Sequence, residues 1–389
     1  MGGRLIFFGA EATLVAYSDD TFDRCVDAAS LPGGQPIGTI NAISMSPDGS
    51  KLAVGHTTTP FLTVYDTATW QKITITGGAP NGLVRDLTWN PSGTLLATAH
   101  ATSNFLTVYR VSDWSKVSIA GGNPAGSGYG VSFSPDGTKL AHTSNTSPFL
   151  TVYETTGWTK LTITGGQPSG AGQCKFSPDG VFLAAGGSSG LTVYTVTDWA
   201  KVTLSGGAAT KTTSYVAFSP DSAQLAASTG ASPYMYIYDT ATWTYTDPIA
   251  MPGGSRGVSY NDDGTKLVLA VNGATGVVIV NPTTWSSFSI PIQTSTPNGP
   301  CTTTLSTRWL TTGAQSIRDA ADAPASGRAV RAYNRATGAL LAAVTTDASG
   351  KFAIPFVSEM QTQVAILDDD AGEQYNDLIF GRVIPATTP

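Results

Sequence analysis

Charge is scarce in this chain. Asp, Glu, Lys and Arg make up 12% of its 389 residues, about half the share of an average soluble domain. The 21 basic and 27 acidic residues are interspersed and give a net charge of -6. No continuous positive surface is available to neutralise a phosphate backbone, so nucleic acid is not expected as a partner. Cysteine is rarer still. Cys25, Cys174 and Cys301 are odd in number and far apart, which supports neither a disulfide framework nor a CxxC zinc site and reads as small buried hydrophobes. Long apolar runs are missing too, and none approaches 18 residues. The opening Met1-Gly-Gly-Arg-Leu-Ile-Phe-Phe lacks the charged stretch, apolar core and small-residue cleavage site of a signal peptide. The expectation is a soluble chain made in the cytoplasm, without membrane insertion.

What the chain has in quantity is Gly, Thr, Ser and Ala, organised as a repeat. The turn Ser46-Pro-Asp-Gly returns as Asn90-Pro-Ser-Gly, Ser134-Pro-Asp-Gly, Ser177-Pro-Asp-Gly, Ser219-Pro-Asp-Ser and Asn261-Asp-Asp-Gly, at spacings of 44, 44, 43, 42 and 42. That is the period of a four-stranded propeller blade. Strand a ends in an aromatic before the turn, as in Leu87-Thr-Trp89, and strand b is a short apolar run such as Leu95-Leu-Ala-Thr-Ala. Strand c is Phe61-Leu-Thr-Val-Tyr65 and its repeats at 105–109, 149–153 and 191–194. Strand d follows a Trp, as in Lys72-Ile-Thr-Ile-Thr76, and ends at a Gly-Gly pair. Alternation of apolar residues with Thr or Ser predicts half-buried strands.

Six such units run from about 38 to 292, and the chain's two ends supply a seventh. Residues 3–34 match strands b, c and d without an a strand, whereas Thr296-Pro-Asn-Gly-Pro-Cys-Thr-Thr repeats the register of Ala79-Pro-Asn-Gly-Leu-Val-Arg-Asp. Residues 300–307 are therefore expected beside residues 3–8. The predicted fold is all-β: a seven-bladed β-propeller over 1–309, closed by N- and C-terminal strands, followed by a small β-sandwich over 310–389. In that tail Ser316–Asp319, Ala329–Tyr333, Leu340–Val344, Lys351–Pro355 and Val364–Leu367 read as strands, with hairpin turns at Ala336-Thr-Gly338 and Asp347-Ala-Ser-Gly350.

Blade period and Ser-Pro-Asp-Gly turn together resemble WD-repeat propellers over about 300 residues, although the Gly-His dipeptide and the Trp-Asp end of strand c are replaced, the latter by Tyr-Asp or Tyr-Thr. Gly327-Arg-Ala-Val-Arg-Ala-Tyr-Asn-Arg-Ala-Thr-Gly and Thr345-Thr-Asp-Ala-Ser-Gly-Lys-Phe are similar to the carboxypeptidase-regulatory or transthyretin-like sandwich, an immunoglobulin-like module. Leu367-Asp-Asp-Asp-Ala-Gly, Tyr375-Asn-Asp-Leu-Ile-Phe and Arg382-Val-Ile-Pro resemble the C-terminal module of bacteriophage virion proteins, and Phe-Leu-Thr-Val-Tyr-Asp-Thr-Ala-Thr-Trp resembles propellers of the same proteins. The resemblance implies a tail-associated virion protein present in multiple copies per particle.

Propeller enzymes react on their innermost strands, and the six a strands here offer only Arg85, Asp86 and Lys175 as charged groups. That is too few for paired carboxylates, a His-based general base or a metal cage, and no cofactor is expected. His56, His100 and His142 fall in successive blades, and b-strand positions of neighbouring blades lie roughly 10 Å apart, too far to share one zinc ion. Trp70, Trp114, Trp158, Trp199, Trp243 and Trp285 could stack on sugars, but the simpler reading is that each caps its own blade. Asp368-Asp-Asp370 reads as a solvated turn and Gly126-Ser-Gly-Tyr-Gly as a loop leading into a strand.

One face remains, carrying the b-to-c loops beside the Gly-Gly-x-Pro loops. Thr57, Thr58, Thr59, Thr102, Ser103, Asn104, Asn145, Thr146, Ser147, Ser188 and Ser189 form this uncharged candidate interaction face. The expectation is a non-enzymatic structural component of a phage virion, made in the bacterial host cytoplasm and bound to other virion proteins. The alternative is a module that binds a host receptor or glycan; a polysaccharide hydrolase or lyase is a third reading.

Overall fold

A computed structural model describes residues 31–205, 210–246, 254–261, 263–271 and 277–290, the strands at 4–10, 13–18, 24–26, 302–305, 308–311, 329–334, 340–345, 353–356, 362–367 and 378–383, and a turn at 348–349. Strands dominate, and no α-helix occurs among the described residues. The chain divides into two compact units, Ile6–Tyr17 with Phe22–Thr304, and Met1–Leu5 with Ser18–Thr21 and Leu305–Pro389.

In the larger unit small antiparallel sheets follow one another. Sheet 1 is Ile40–Met45, Lys51–His56 and Leu62–Asp66; sheet 2 is Val84–Trp89, Leu95–His100 and Leu106–Arg110. Sheet 3 is Gly128–Phe133, Lys139–Ser144, Leu150–Glu154 and Thr159–Lys160; sheet 4 is Cys174–Phe176, Phe182–Ala185 and Thr192–Thr195. Sheet 5 is Thr213–Phe218, Gln224–Thr229, Met235–Asp239 and Tyr245–Thr246; sheet 6 is Ser255–Tyr260, Leu267–Val271, Val277–Val280 and Ser287–Ile290. A further sheet joins distant segments in the order Thr302–Leu305, Arg4–Ala10, Thr13–Ser18, Arg24–Val26.

The first hairpin of sheet 1 is closed by its Ser-Pro-Asp-Gly turn. Ser46 Oγ donates to Asp48 Oδ1 at 2.6 Å and accepts from Lys51 N at 2.9 Å, and Gly49 takes φ +70°. That hydroxyl holds the Asp48 carboxyl down at about 2. Asn90 and Asn261 serve equally well, because their Oδ1 atoms accept Leu95 N and Lys266 N at 2.8 Å. The fourth strand is shorter than expected: Lys72 makes a lone bridge to Tyr65, and Ile73 N donates to Val64 O. Beyond it the chain turns away, and Thr76 Oγ1 donates to Asp113 O beside sheet 2.

Burial also departs from the half-buried expectation. Strands b and c are buried along nearly their whole length on both faces, as in Leu95–His100 and Leu106–Arg110. Each sheet has two unlike faces, and successive sheets mate large against small. Ala42, Ala53, Leu62 and Val64 of sheet 1 pack on Leu87, Trp89, Leu96, Tyr109 and Trp114 of sheet 2. Ala97, Ala99, Leu106 and Val108 of sheet 2 then pack on Phe133, Leu140, Tyr153 and Trp158 of sheet 3. The pattern continues to Trp199 against Ala141, Leu150 and Val152, and to Trp243 against Ala184, Leu191 and Val193. The Trp residues are thus wedges between sheets as well as caps on their own. Each stands at φ between +54° and +58°, a strained setting for a bulky residue, in which the neighbouring sheet holds it.

Hydrogen bonds stitch these interfaces at the same register. Tyr65, Tyr109, Tyr153 and Tyr194 are fully buried, and their hydroxyls donate to the carbonyls of Gly34, Gly78, Gly122 and Gly166 at 2.7–2.9 Å. Gly77 N donates back to Trp114 O at 3.0 Å, as Gly33, Gly121 and Gly165 do to Trp70, Trp158 and Trp199. Both glycines of the pair are required. A Cβ on Gly77 would lie 2.5 Å from Trp114 O, while Gly78 sits at φ +75°. Lys72, Lys116, Lys160 and Lys201 add a third bond, each Nζ donating to a carbonyl of the loop after the preceding Gly-Gly pair.

In the smaller unit Arg308–Thr311 pairs antiparallel with Ala353–Phe356. A four-stranded sheet runs in the order Leu340–Thr345, Ala329–Asn334, Thr362–Leu367, Leu378–Val383, with every neighbour antiparallel. Arg308–Thr311 straddles the boundary expected at 309/310. The strand expected at 316–319, the turn at 336–338 and Asp368–Asp370 lie outside the described residues.

Removing one stitch gives a measurable loss. Tyr109→Phe deletes a bond worth about 1 kcal/mol, which lowers Tm by roughly 2–4 °C in a unit of this size. Trp114→Ala costs about 3–5 kcal/mol. Thermal unfolding checks both, and an unchanged Tm for Trp114→Ala contradicts its role as a wedge.

Candidate functional site

Thr58, Thr59, Thr102, Ser103, Asn104, Asn145, Thr146, Ser147, Ser188 and Ser189 are all exposed, and Thr57 is half-buried. Loops are tied to the segments that lead into their own or the next sheet. Within one sheet, Asn81 Nδ2 donates to Ser103 O at 2.8 Å and Ser188 Oγ to Ser169 O at 2.6 Å, while Asn123 Nδ2, on the way into sheet 3, donates to Asn104 Oδ1 of the sheet 2 loop at 3.0 Å. Thr57 Oγ1 accepts Thr39 N at 3.0 Å. These crosslinks give the face defined backbone positions with hydroxyls and amides at its surface.

The three histidines are fully buried. His56 donates through Nδ1 to Thr58 O at 2.8 Å, and its Nε2 meets Thr63 Oγ1 at 2.9 Å. His100 Nε2 lies 3.0 Å from Thr107 Oγ1, whereas His142 Nε2 donates across the interface to Phe105 O at 3.2 Å. Burial lowers all three pKa values, to about 4 for His100 and His142. Each ring is neutral and committed to a different neighbour, and no group of three or more His, Cys, Asp or Glu side chains among the described residues is placed to hold a metal ion. Cys174 is a free, buried thiol that burial pushes up to about 12.

Asp86 and Lys175, read separately from the sequence, come together. Asp86 is 3% exposed; its Oδ2 lies 3.6 Å from Lys175 Nζ and accepts Val131 N at 3.0 Å, and its Oδ1 accepts Gln173 Nε2 at 3.2 Å. Burial raises its pKa above the ordinary carboxylate value, with Lys175 and these donors opposing. One carboxylate thereby clasps the first strands of sheets 2, 3 and 4. The pair lines a cavity of about 230 Å³ to which the first strands of sheets 1, 2, 4, 5 and 6 all contribute, through Ser44, Thr88, Phe218 and Ser259 among others.

A second cavity of about 420 Å³ lies toward the loop face, and Thr57 is the one residue it shares with the candidate interaction face. Its lining includes Asn41, Arg85, Tyr129 and Ser214, each at a register shift where the first strand of its sheet starts pairing with the second. Sequence reasoning missed this set because a one-residue bulge leaves no compositional mark. A usable signal existed, since each of the four stands five residues before its turn residue at 46, 90, 134 or 219.

No family model matches the chain, and no curated protein matches it.

The buried histidines make stability fall on acidification. Unfolded, His100 and His142 take up protons near 6.5, whereas folded they do so only near 4. Between those values the unfolded state binds more protons, so stability present above about pH 6.5 is lost as pH falls toward 4. Each tenfold difference in proton affinity is worth about 1.4 kcal/mol, so the loss amounts to a few kcal/mol, with Asp86 opposing it. Tm measured across this range should drop, and His100→Asn should flatten the drop. An equally steep profile in the variant contradicts the assignment.

Proposed function

We propose that the larger unit is a seven-bladed β-propeller closed by strands from both ends of the chain, that the smaller is an immunoglobulin-like, transthyretin-like sandwich, and that together they form a non-enzymatic structural component of a bacteriophage virion. The observation that carries the ring is the convergence of first strands from five sheets on one cavity. Two others support it. Large-on-small interfaces are head-to-tail contacts, which close into rings when the rotation allows. The sheet that contains Thr302–Leu305 beside Arg4–Ala10 provides the joint. Its Leu14 N donates to Gln35 Oε1 at 2.7 Å, just as Leu150 N of sheet 3 donates to Gln167 Oε1 at 2.7 Å, a likeness that supports reading Thr13–Ser18 as a c strand.

A stitched disc with a crosslinked polar face is suited to presenting surface, at the tail or on the particle, for assembly or host adhesion. The assignment to a virion rests on the phage-like phrases of the propeller and tail. A second reading, a host-receptor or glycan-binding module, is favoured by the exposed, uncharged hydroxyls and amides of the loop face.

Particles purified from the phage that encodes the chain should contain it at fixed stoichiometry, with matching density in a reconstruction. Its absence from particles despite expression during infection sinks the structural assignment. Binding to a glycan array that Thr58→Ala, Ser103→Ala and Ser147→Ala abolish selects the second reading.

A further inference from the structure

Register shifts at corresponding places in four sheets set Asn41, Arg85, Tyr129 and Ser214 around one cavity. Bulges re-aim side chains and recur beside functional sites. Arg85 is the notable member. Its guanidinium carbon stands 4.2 Å from the centre of the Tyr129 ring, and its Nη1 is buried with no hydrogen-bond partner among the described residues. A buried donor without an acceptor destabilises the fold unless something else uses it. Asp86 does not relieve it, because that carboxylate lines the other cavity and is engaged by Lys175, Gln173 and Val131 N.

We propose that this cavity binds a small, hydroxyl-rich molecule carrying one carboxylate, of about the size of a single sugar acid. The Tyr129 ring lies against the guanidinium, whose Nη1 is left without a partner among the described residues, and a guanidinium is the group that engages carboxylates through paired N–H donors. No acidic residue stands among the described lining residues, so nothing there competes for the cation. Around it Thr39, Thr57, Gln173 and Ser214 supply neutral donors and acceptors suited to hydroxyl groups. The volume of about 420 Å³ lies near the lower end of small-molecule pockets. The site is independent of the virion assignment and involves only Thr57 of the exposed loop set.

Calorimetric titration of the full chain with glucuronate and galacturonate, with glucose as the uncharged control, tests the proposal. Both acids should bind, with glucose at least about tenfold weaker, the worth of one charge-assisted contact. Arg85→Gln should weaken the acids by a similar factor without lowering the Tm of the ligand-free protein, since it removes a cation that no carboxylate balances. Arg85→Lys, which keeps the charge but not the fork, should fold and also bind more weakly. Failure of both acids to bind, binding no tighter than glucose, unchanged binding by Arg85→Gln, or a lowered Tm in that variant each overturns the proposal. The last outcome would make Arg85 a structural support for Tyr129.

Discussion

The two faces of each sheet are different, and the larger unit depends on that difference. A face bearing Tyr109 and Trp114 fits against one bearing Ala53 and Val64, and the sheet behind repeats the arrangement with Tyr153 and Trp158 against Ala97 and Val108. Two large faces would collide and two small ones would leave a void, so the sheets stack in one direction only. The Tyr hydroxyl and the Gly-Gly pair fix the register of each step. Scarcity of charge follows from the same constraint, because strands buried on both faces have few places to solvate an ion.

At the fourth-strand edge lysines reach carbonyls of the preceding loop, and at the first-strand edge Asp86 joins its neighbours. At the loop-side end Arg85 Nη1 is buried without a partner among the described residues, as are His100 Nδ1, His142 Nδ1, Thr151 Oγ1 and Ser228 Oγ, and Arg85 is the one cation in that set.

Much of this was legible in the residues. The Ser-Pro-Asp-Gly spacing located the hairpins, and the Phe-Leu-Thr-Val-Tyr phrase located the third strands, because a turn and its flanking strands are local. Substitution of Asn90 for Ser was harmless, since either side chain offers an oxygen to the same amide. Contacts across about 30 residues were not legible. Alternation of Leu with Ala or Thr looks half-buried from within one strand, yet Ala53 and Ala97 are covered by the next sheet. Arg85 and Asp86 adjoin in sequence but line different cavities, a divergence that the bulge at Arg85 creates.

Backbone hydrogen exchange at the first glycine of each pair is the most direct test of the stacking. Gly33, Gly77, Gly121 and Gly165 lie in loops, yet each N–H is bonded to a Trp carbonyl of the following sheet. The account predicts that these amides are protected to nearly the level of the central strands, and open only with the sheets themselves. Exchange at the rate of a solvated loop would contradict it, because the sheets would then be neighbours without being joined.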